Sequence, residues 1–319
     1  MPRLDMTRVT VATAIQDRSP YTDEAVTLFK SLDVFGGRVR AARRRACFID
    51  DVSPESRRRL EELGVDVSVR EALDPRFPFA NKIRMFDPAD NQDTDLLVAL
   101  DSDVIVAGDF AEYLDPTLVQ AKQADGDALS LELWDRMFAH FGLTLPSERY
   151  PASLFPGWTH AYFNTGVLLL PGAHLADIYA RWPHFVEAIV SARNTFAELA
   201  GHMEGNVPDY GDAVASDLRS LVFAEQWAFS LTLRELGAPY AVLPLAMNFP
   251  APYSDDLEPG AYIRPRFLPD AIAPLLVHHH HCSPERLTRT GYEQPDRVLA
   301  RVDAELRLTS SSQLRASAS

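Results

Sequence analysis

Apolar residues form short runs and helix-spaced stripes that alternate through the first hundred positions. Residues 9–14 read as a strand, and 22–32 as a helix with Ala25, Leu28, Phe29 and Leu32 on one face. Residues 46–49 form a second strand, closed by Asp50 and Asp51. Ser53 then caps a helix with Pro54 at its first position, where no N–H is needed, and Gly64 ends it. A short strand at 65–69, a helical segment at 78–86 and a strand at 96–100 complete the series. This order implies an α/β fold with a doubly wound, mostly parallel sheet.

The pattern is less regular afterwards. Pro146, Pro151, Pro156 and Gly157 mark a long loop before 162–170, where Asn164-Thr165-Gly166 heads another buried strand. A helix is expected over 174–200, interrupted near Pro183, followed by a polar loop at 201–211 with the character of a mobile lid. Residues 224–236 form a helix stopped by Gly237 and Pro239. Short strands follow at 241–243 and 274–277, and the Ser- and Ala-rich residues 309–319 are expected to be disordered.

The run from Leu96 to Val106 carries the most information. Its apolar residues lead straight into Asp101-Ser102-Asp103. Two further Asp-x-Asp triplets, Asp93-Thr94-Asp95 and Asp125-Gly126-Asp127, sit among polar residues that read as loops. Open α/β sheets bind ligands beyond the carboxyl ends of their strands. Two acids at such an end suit a hard divalent cation, which in turn can hold a diphosphate.

Composition narrows the partners. A net charge of −14 argues against nucleic acid, which needs clustered Lys and Arg. The short cluster Arg43-Arg44-Arg45 reads as a solvated strand edge. A phosphorylated ligand of so acidic a chain would need a cation or a few placed bases. Cys47 and Cys282 are too distant in sequence for a disulfide framework and fit a reducing compartment. With no apolar run of about 18 residues and no signal segment, no membrane span is expected and the cytoplasm is the expected location.

Five segments fall in a recognisable order: Asn81-Lys82-Ile83-Arg84-Met85-Phe86; residues 99–106; Phe163-Asn164-Thr165-Gly166-Val167; Glu225-Gln226-Trp227 ahead of residues 243–249; and Leu276-Val277-His278. Together they resemble family 8 glycosyltransferases, the glycogenin-like and galactosyltransferase-like retaining enzymes of the A-type, nucleotide-sugar-binding fold. The resemblance spans about residues 8–282. It implies that Asp101, Asp103 and His278 hold Mn²⁺ (or Mg²⁺) against the diphosphate of a nucleotide sugar, most simply a UDP-sugar. It further implies that Lys82 and Ser102 contact the nucleotide and that Ala12, Thr13 and Tyr21 hold its base. Asn164, Glu225 and Gln226 would address the transferred hexose, which would move to an acceptor with retention. Residues 1–305 would then be one catalytic domain, with a nucleotide-binding half at 8–110. Its sugar and acceptor half at 111–305 would carry an insertion at about 171–223, and 306–319 would be a tail.

The chemistry is consistent with that assignment. A divalent ion neutralises a diphosphate leaving group without proton transfer, and an imidazole in the donor set favours Mn²⁺. Amide and acid groups near the sugar can stabilise positive charge at the anomeric carbon.

Other readings of the same residues remain open at this level. Alternate side chains share a face on an extended segment, so His280 competes with His278. The histidines at 140, 160, 174, 184 and 202 read as ordinary. Asn164 also suits a turn before its strand, and Glu225 suits a first helical turn on dipole grounds. Phe223, Trp227 and Leu231 read as core, while Trp158 and Trp182 suit packing more than sugar stacking. The family's Lys-Pro-Trp segment after the metal histidine is missing, and Arg286 is the candidate substitute for its Lys.

Two rival functions differ in kind. A phosphatase of the haloacid dehalogenase type needs a hydroxyl residue where Ile105 stands. A catalytically inactive nucleotide-sugar or metal-binding protein of the same fold is favoured by the missing Lys and opposed by the retained acids. Oligomeric state is open.

Overall fold

The computed structural model describes residues 4–75, 77–126, 129–152, 157–192, 221, 223–251, 271–280 and 290–316. Its centre is a seven-stranded sheet in the order β10-β6-β9-β4-β1-β2-β3. These strands are β1 (Val9–Gln16), β2 (Arg43–Ile49), β3 (Asp66–Arg70), β4 (Leu96–Leu100), β6 (Val119–Gln123), β9 (Phe163–Pro171) and β10 (Tyr240–Leu243). A second sheet joins β5 (Val104–Val106), β11 (Phe249–Pro250) and β12 (Leu276–His278), and β7 (Tyr150–Pro151) pairs with β8 (Trp158–Thr159). The sheet is mostly parallel, as expected, with one exception. β9 runs antiparallel to both of its neighbours, β4 and β6.

Helices cover both faces, because every residue of β4 and β9 is buried and neither face can meet water. On one face α1 (Tyr21–Phe35) sets Ala25, Leu28, Phe29 and Leu32 against Val9 and Val11 of β1. Behind it, α2 (Pro54–Glu61) starts where the Ser53 hydroxyl accepts the Ser56 N–H. The opposite face carries α3 (Leu131–His140), α4 (Gly172–Ser191) and α5 (Ala224–Leu236), with 3₁₀ turns over Pro78–Phe86. There the rings of Phe86, Trp182 and Phe229 pack in series, with centroids 5.4 and 4.6 Å apart. Gly237, at φ 59°, ends α5 in the left-handed conformation that favours glycine.

Several expectations change. Pro183 does not interrupt α4, because Trp182, Phe185 and Val186 are buried around it and hold one continuous helix. The expected tail is helical as far as Ala316: α6 (Glu293–Ala316) is anchored by Leu299 and Val302 against Ile105 and Val277. Arg44 and Arg45 are not merely solvated; they pair with Asp33 and Asp66. The strand β6 had no apolar signature because Gln120, Lys122 and Gln123 are among its buried residues. The proposed lid at 201–211 and Cys282 lie outside the described residues. Among those described, no helix is long and apolar enough to cross a membrane.

The passage from β9 into α4 is tight at Gly172. Its N–H donates to the Asp95 carbonyl at 2.8 Å, and a Cβ there would lie 2.0 Å from the Thr94 carbonyl oxygen. Backbone must shift to admit it, so Gly172→Ala should lower unfolding free energy by about 1–3 kcal/mol in urea titration. An unchanged midpoint and slope would refute this reading of the turn.

Candidate active site

The reversal of β9 builds the site. Because β9 is antiparallel to β4, its polar head Asn164-Thr165-Gly166 lies beside the carboxyl end of β4, and the Asp101 N–H donates to the Gly166 carbonyl at 2.9 Å. The second sheet adds the other flank. β12 pairs antiparallel with β5, matching His278 to Val104, and the His279 N–H donates to the Asp103 carbonyl at 2.9 Å. His278 Nε2 then stands 3.3 Å from Asp103 Oδ1.

One ligand atom each from Asp101, Asp103 and His278 lies within 4.8 Å of the others, a grouping able to hold a metal ion. Gly166 makes room for it, since a Cβ there would fall 2.4 Å from His278 Cε1. Of His278 and His280, it is His278 whose ring nitrogen falls within this grouping. His280 stacks on the His278 ring, with centroids 4.1 Å apart, but does not join the cluster. Burial and the neighbouring His278 push the His280 pKa well below its usual value. For His278 burial acts downward, but Asp103, Asp101 and Asp125 outweigh it and raise the pKa.

Lys82 bridges Asp101 and Glu225. Its ammonium lies 2.7 Å from Asp101 Oδ1 and 3.9 Å from Glu225 Oε1. Burial would strip its proton, but Asp101, Glu225 and Asp103 together raise its pKa. Lys82 also donates to Thr165 Oγ1 at 3.4 Å, and that hydroxyl sits 2.9 Å from both carboxylate oxygens of Glu225. Burial pushes the Glu225 carboxyl up to about 7 against the pull of Lys82, and Asp101 adds to the rise. Trp182 fixes the start of α5 by donating its indole N–H to the Glu225 carbonyl at 2.7 Å, which makes it a packing residue. Gln226, half-buried, bonds the same carboxyl. Trp158 is 55% exposed on the β7–β8 hairpin.

Asn164 is both a turn residue and a network member. Its Oδ1 accepts the Gly166 N–H at 2.9 Å and Asn248 Nδ2 at 3.0 Å, while its Nδ2 donates to Asp125 Oδ2 at 3.1 Å. Asp125 is not a solvated loop acid: it is buried and ion-paired with Lys122 at the end of β6. Sequence reading missed Asp125, Lys122, Asn248, Thr165 and Glu24. The stretch 119–124 ahead of Asp125 parallels the run ahead of Asp101, but its polar residues masked it. Glu24 is a buried acid on α1 whose Oε2 accepts the Ser102 hydroxyl at 3.0 Å.

The residues expected at the base lie on β1 and at the start of α1. Ala12 and Thr13 are fully buried inside β1, Ala12 paired with β2 and β4 and Thr13 with β2. The partly exposed residues of that strand are Ala14 and Gln16, nearer its carboxyl end. Tyr21, half-buried, opens α1 under the Arg18 guanidinium, 5.3 Å from its ring. Arg286 lies outside the described residues.

This architecture is the A-type glycosyltransferase fold. The structure of an active-site mutant of LgtC matches with a TM-score of 0.50 at 15% identity, covering 93% of this chain and 95% of that one. Galactosyltransferase LgtC with donor and acceptor sugar analogues gives 0.49 at 15% identity over the same shares. Mouse xyloside xylosyltransferase 1 gives 0.47 at 13% identity, over 85% of this chain and 97% of that one. No curated protein matches in sequence. The sequence model of the Rhodobacterales glycosyltransferase domain matches residues 12–201, and the chain belongs to that family. It is a glycosyltransferase.

The buried Glu225 has a consequence for stability. Its folded pKa of about 7 exceeds the 4.5 of the free side chain, so the folded state binds the proton more tightly. Stability from this group is therefore full below about pH 4.5 and falls as pH rises through about 7. Glu225→Gln should flatten the decline in melting temperature between pH 5 and pH 8 by removing the group. An identical decline in the variant would refute the buried, proton-binding carboxyl.

Proposed function

We propose that the enzyme moves a hexose from a nucleotide-diphosphate sugar, with UDP the expected nucleotide, to an acceptor, with retention and with Mn²⁺ at Asp101, Asp103 and His278. The observation that carries this is the convergence of two carboxylates and an imidazole beyond the carboxyl end of β4. Their chemistry fits the ion. Adjacent ligands of an octahedral ion at about 2.1 Å stand about 3 Å apart, close to the 3.3 Å between His278 Nε2 and Asp103 Oδ1. The bound ion would supply Lewis-acid neutralisation of the leaving diphosphate.

The surrounding side chains suit the remaining tasks. Lys82, held charged on Asp101, is the cation that can turn to a phosphate oxygen when the donor arrives. Ser102 and Tyr21 lie on the nucleotide side of the site. Glu225, Gln226 and Asn164 offer hydrogen bonds to sugar hydroxyls, and Glu225 offers negative charge to an anomeric carbon that becomes positive. This reading assigns residues 8–110 to the nucleotide and 111–305 to sugar and acceptor. The intact acid pair with its imidazole favours an active enzyme over an inactive binding protein of the same fold.

Two measurements test it. With a panel of UDP-, GDP- and dTDP-sugars, nucleotide release should require Mn²⁺, and Asp103→Ala should lower it about 10²–10³-fold. Absence of metal-dependent release or binding with every donor would overturn the proposal, and binding without turnover would favour the inactive protein. Gly166→Ala should displace His278 and weaken Mn²⁺ binding about 10–100-fold by calorimetry. Unaltered affinity would remove His278 from the metal site.

A further inference from the structure

The turn that carries the metal acids rests on α1. Asp101, Ser102, Asp103 and Val104 form a β-turn, closed by the Val104 N–H donating to the Asp101 carbonyl at 3.2 Å. The two acids of the metal cluster are its first and third residues, so the geometry of the turn sets their spacing. Backbone holds its flanks. The Asp101 N–H donates to the Gly166 carbonyl and the Asp103 carbonyl accepts the His279 N–H, both at 2.9 Å. A side chain holds its corner: the Ser102 hydroxyl donates to Glu24 Oε2 at 3.0 Å.

The helix dipole does not explain the place of Glu24. An acid in the first turn of a helix gains from the dipole on any face. Asp23 takes that gain in the open, paired with Arg59 at 2.7 Å. Glu24 is buried instead, at 8% exposure, where a carboxylate costs free energy unless it is hydrogen-bonded. It lies on the stripe of α1 that also carries Leu28 and Ser31, four and seven residues on.

Ser31 completes the attachment. Its Oγ accepts the Val106 N–H at 2.9 Å, so one helix face holds the turn at Ser102 and the end of β5 at Val106. β5 in turn pairs with β12, which carries His278. All three groups of the metal cluster therefore share α1 as a support.

We infer, on the reading that Mn²⁺ binds at Asp101, Asp103 and His278, that Glu24 is a positioning residue for the metal. Through the Ser102 hydroxyl it fixes the turn from which both acids reach the ion. Groups that orient metal ligands typically carry about 10–100-fold of metal affinity, and Glu24, one residue removed from the ligands, belongs at the lower end. Two other roles give different results. As a bare negative charge near a cation, Glu24 would act without Ser102. As a fold-stabilising residue, it would change melting temperature and leave metal affinity alone.

Mn²⁺ is titrated into the full chain, with and without UDP, with calorimetry and paramagnetic resonance of the free ion as readouts. Glu24→Ala should weaken Mn²⁺ binding about 10-fold, and Ser102→Ala should weaken it as much. The double variant should be no weaker than either single one, because both remove one link. Glu24→Gln, whose amide oxygen still accepts the hydroxyl, should restore wild-type affinity. Gly172→Ala, altered beyond the far end of β9, should bind Mn²⁺ as the wild type does despite its lower stability. Wild-type affinity in Glu24→Ala or Ser102→Ala overturns the inference, and the milder Ser102→Ala decides alone if Glu24→Ala does not fold. Additive loss in the double variant, or equal loss in Glu24→Gln, overturns it in favour of charge. Equal loss in Gly172→Ala overturns it in favour of stability. Absence of Mn²⁺ binding by the wild type in both conditions overturns the metal site itself and this inference with it.

Discussion

The site depends on one reversed strand. Between parallel β4 and β6, β9 runs the other way, so its first residues, not its last, reach the ligand edge of the sheet. The polar head of a strand buried at every residue is thereby delivered beside the Asp101 end of β4. Pairing in the opposite direction would leave Pro171 at that edge and send Asn164, Thr165 and Gly166 to the far side. The glycine then matters for the same reason: His278 comes from another sheet and needs the volume that a side chain at 166 would fill.

Concentrating acids at one edge creates a second constraint, charge. Asp101, Asp103, Asp125 and Glu225 all lie at or near the site, in a chain already at −14. Asp103, Asp125 and Glu225 are buried and Asp101 is only partly exposed, so water screens them poorly and the balance is local. Lys82 sits among Asp101 and Glu225, Lys122 on Asp125, and His278 on Asp103. Breaking a buried pair by removing one partner typically costs 3–5 kcal/mol. A divalent ion and a diphosphate can enter such a site by exchanging partners rather than by adding unbalanced charge.

The helical face around α3, α4 and α5 links this chemistry to the core. Trp182 is both a member of the aromatic series under the sheet and the donor that holds the first turn of α5. The same helix runs on through the buried Ser230. Packing and chemistry therefore share elements, and a shift of α5 would be felt at Glu225 and at Ser230 together.

Much of the fold was legible in the linear sequence. Periodicity and caps located β1, α1, α2, β4 and α5, since apolar spacing and residues such as Ser53 and Gly237 act within a few positions. The apolar approach to Asp101 separated that triplet from the other two. Ordered motifs identified the family and brought Lys82, Asn164, Glu225 and His278 into view, and the structure does draw them together. What was misread shares one cause. Asp125 looks like a loop acid until Lys122 and Asn164 surround it, and Lys122 inside β6 erases the strand's apolar signature.

By itself, then, the sequence determined the local elements, the acid pair and the family. Tertiary structure decided the direction of β9, the meeting of two sheets at Asp103 and His278, and the partners of each buried charge. The physical reason is that a strand buried on both faces has the same pattern whichever way it runs. Direction and partnership are set by what packs on either side, across sequence separations at which local spacing carries no signal.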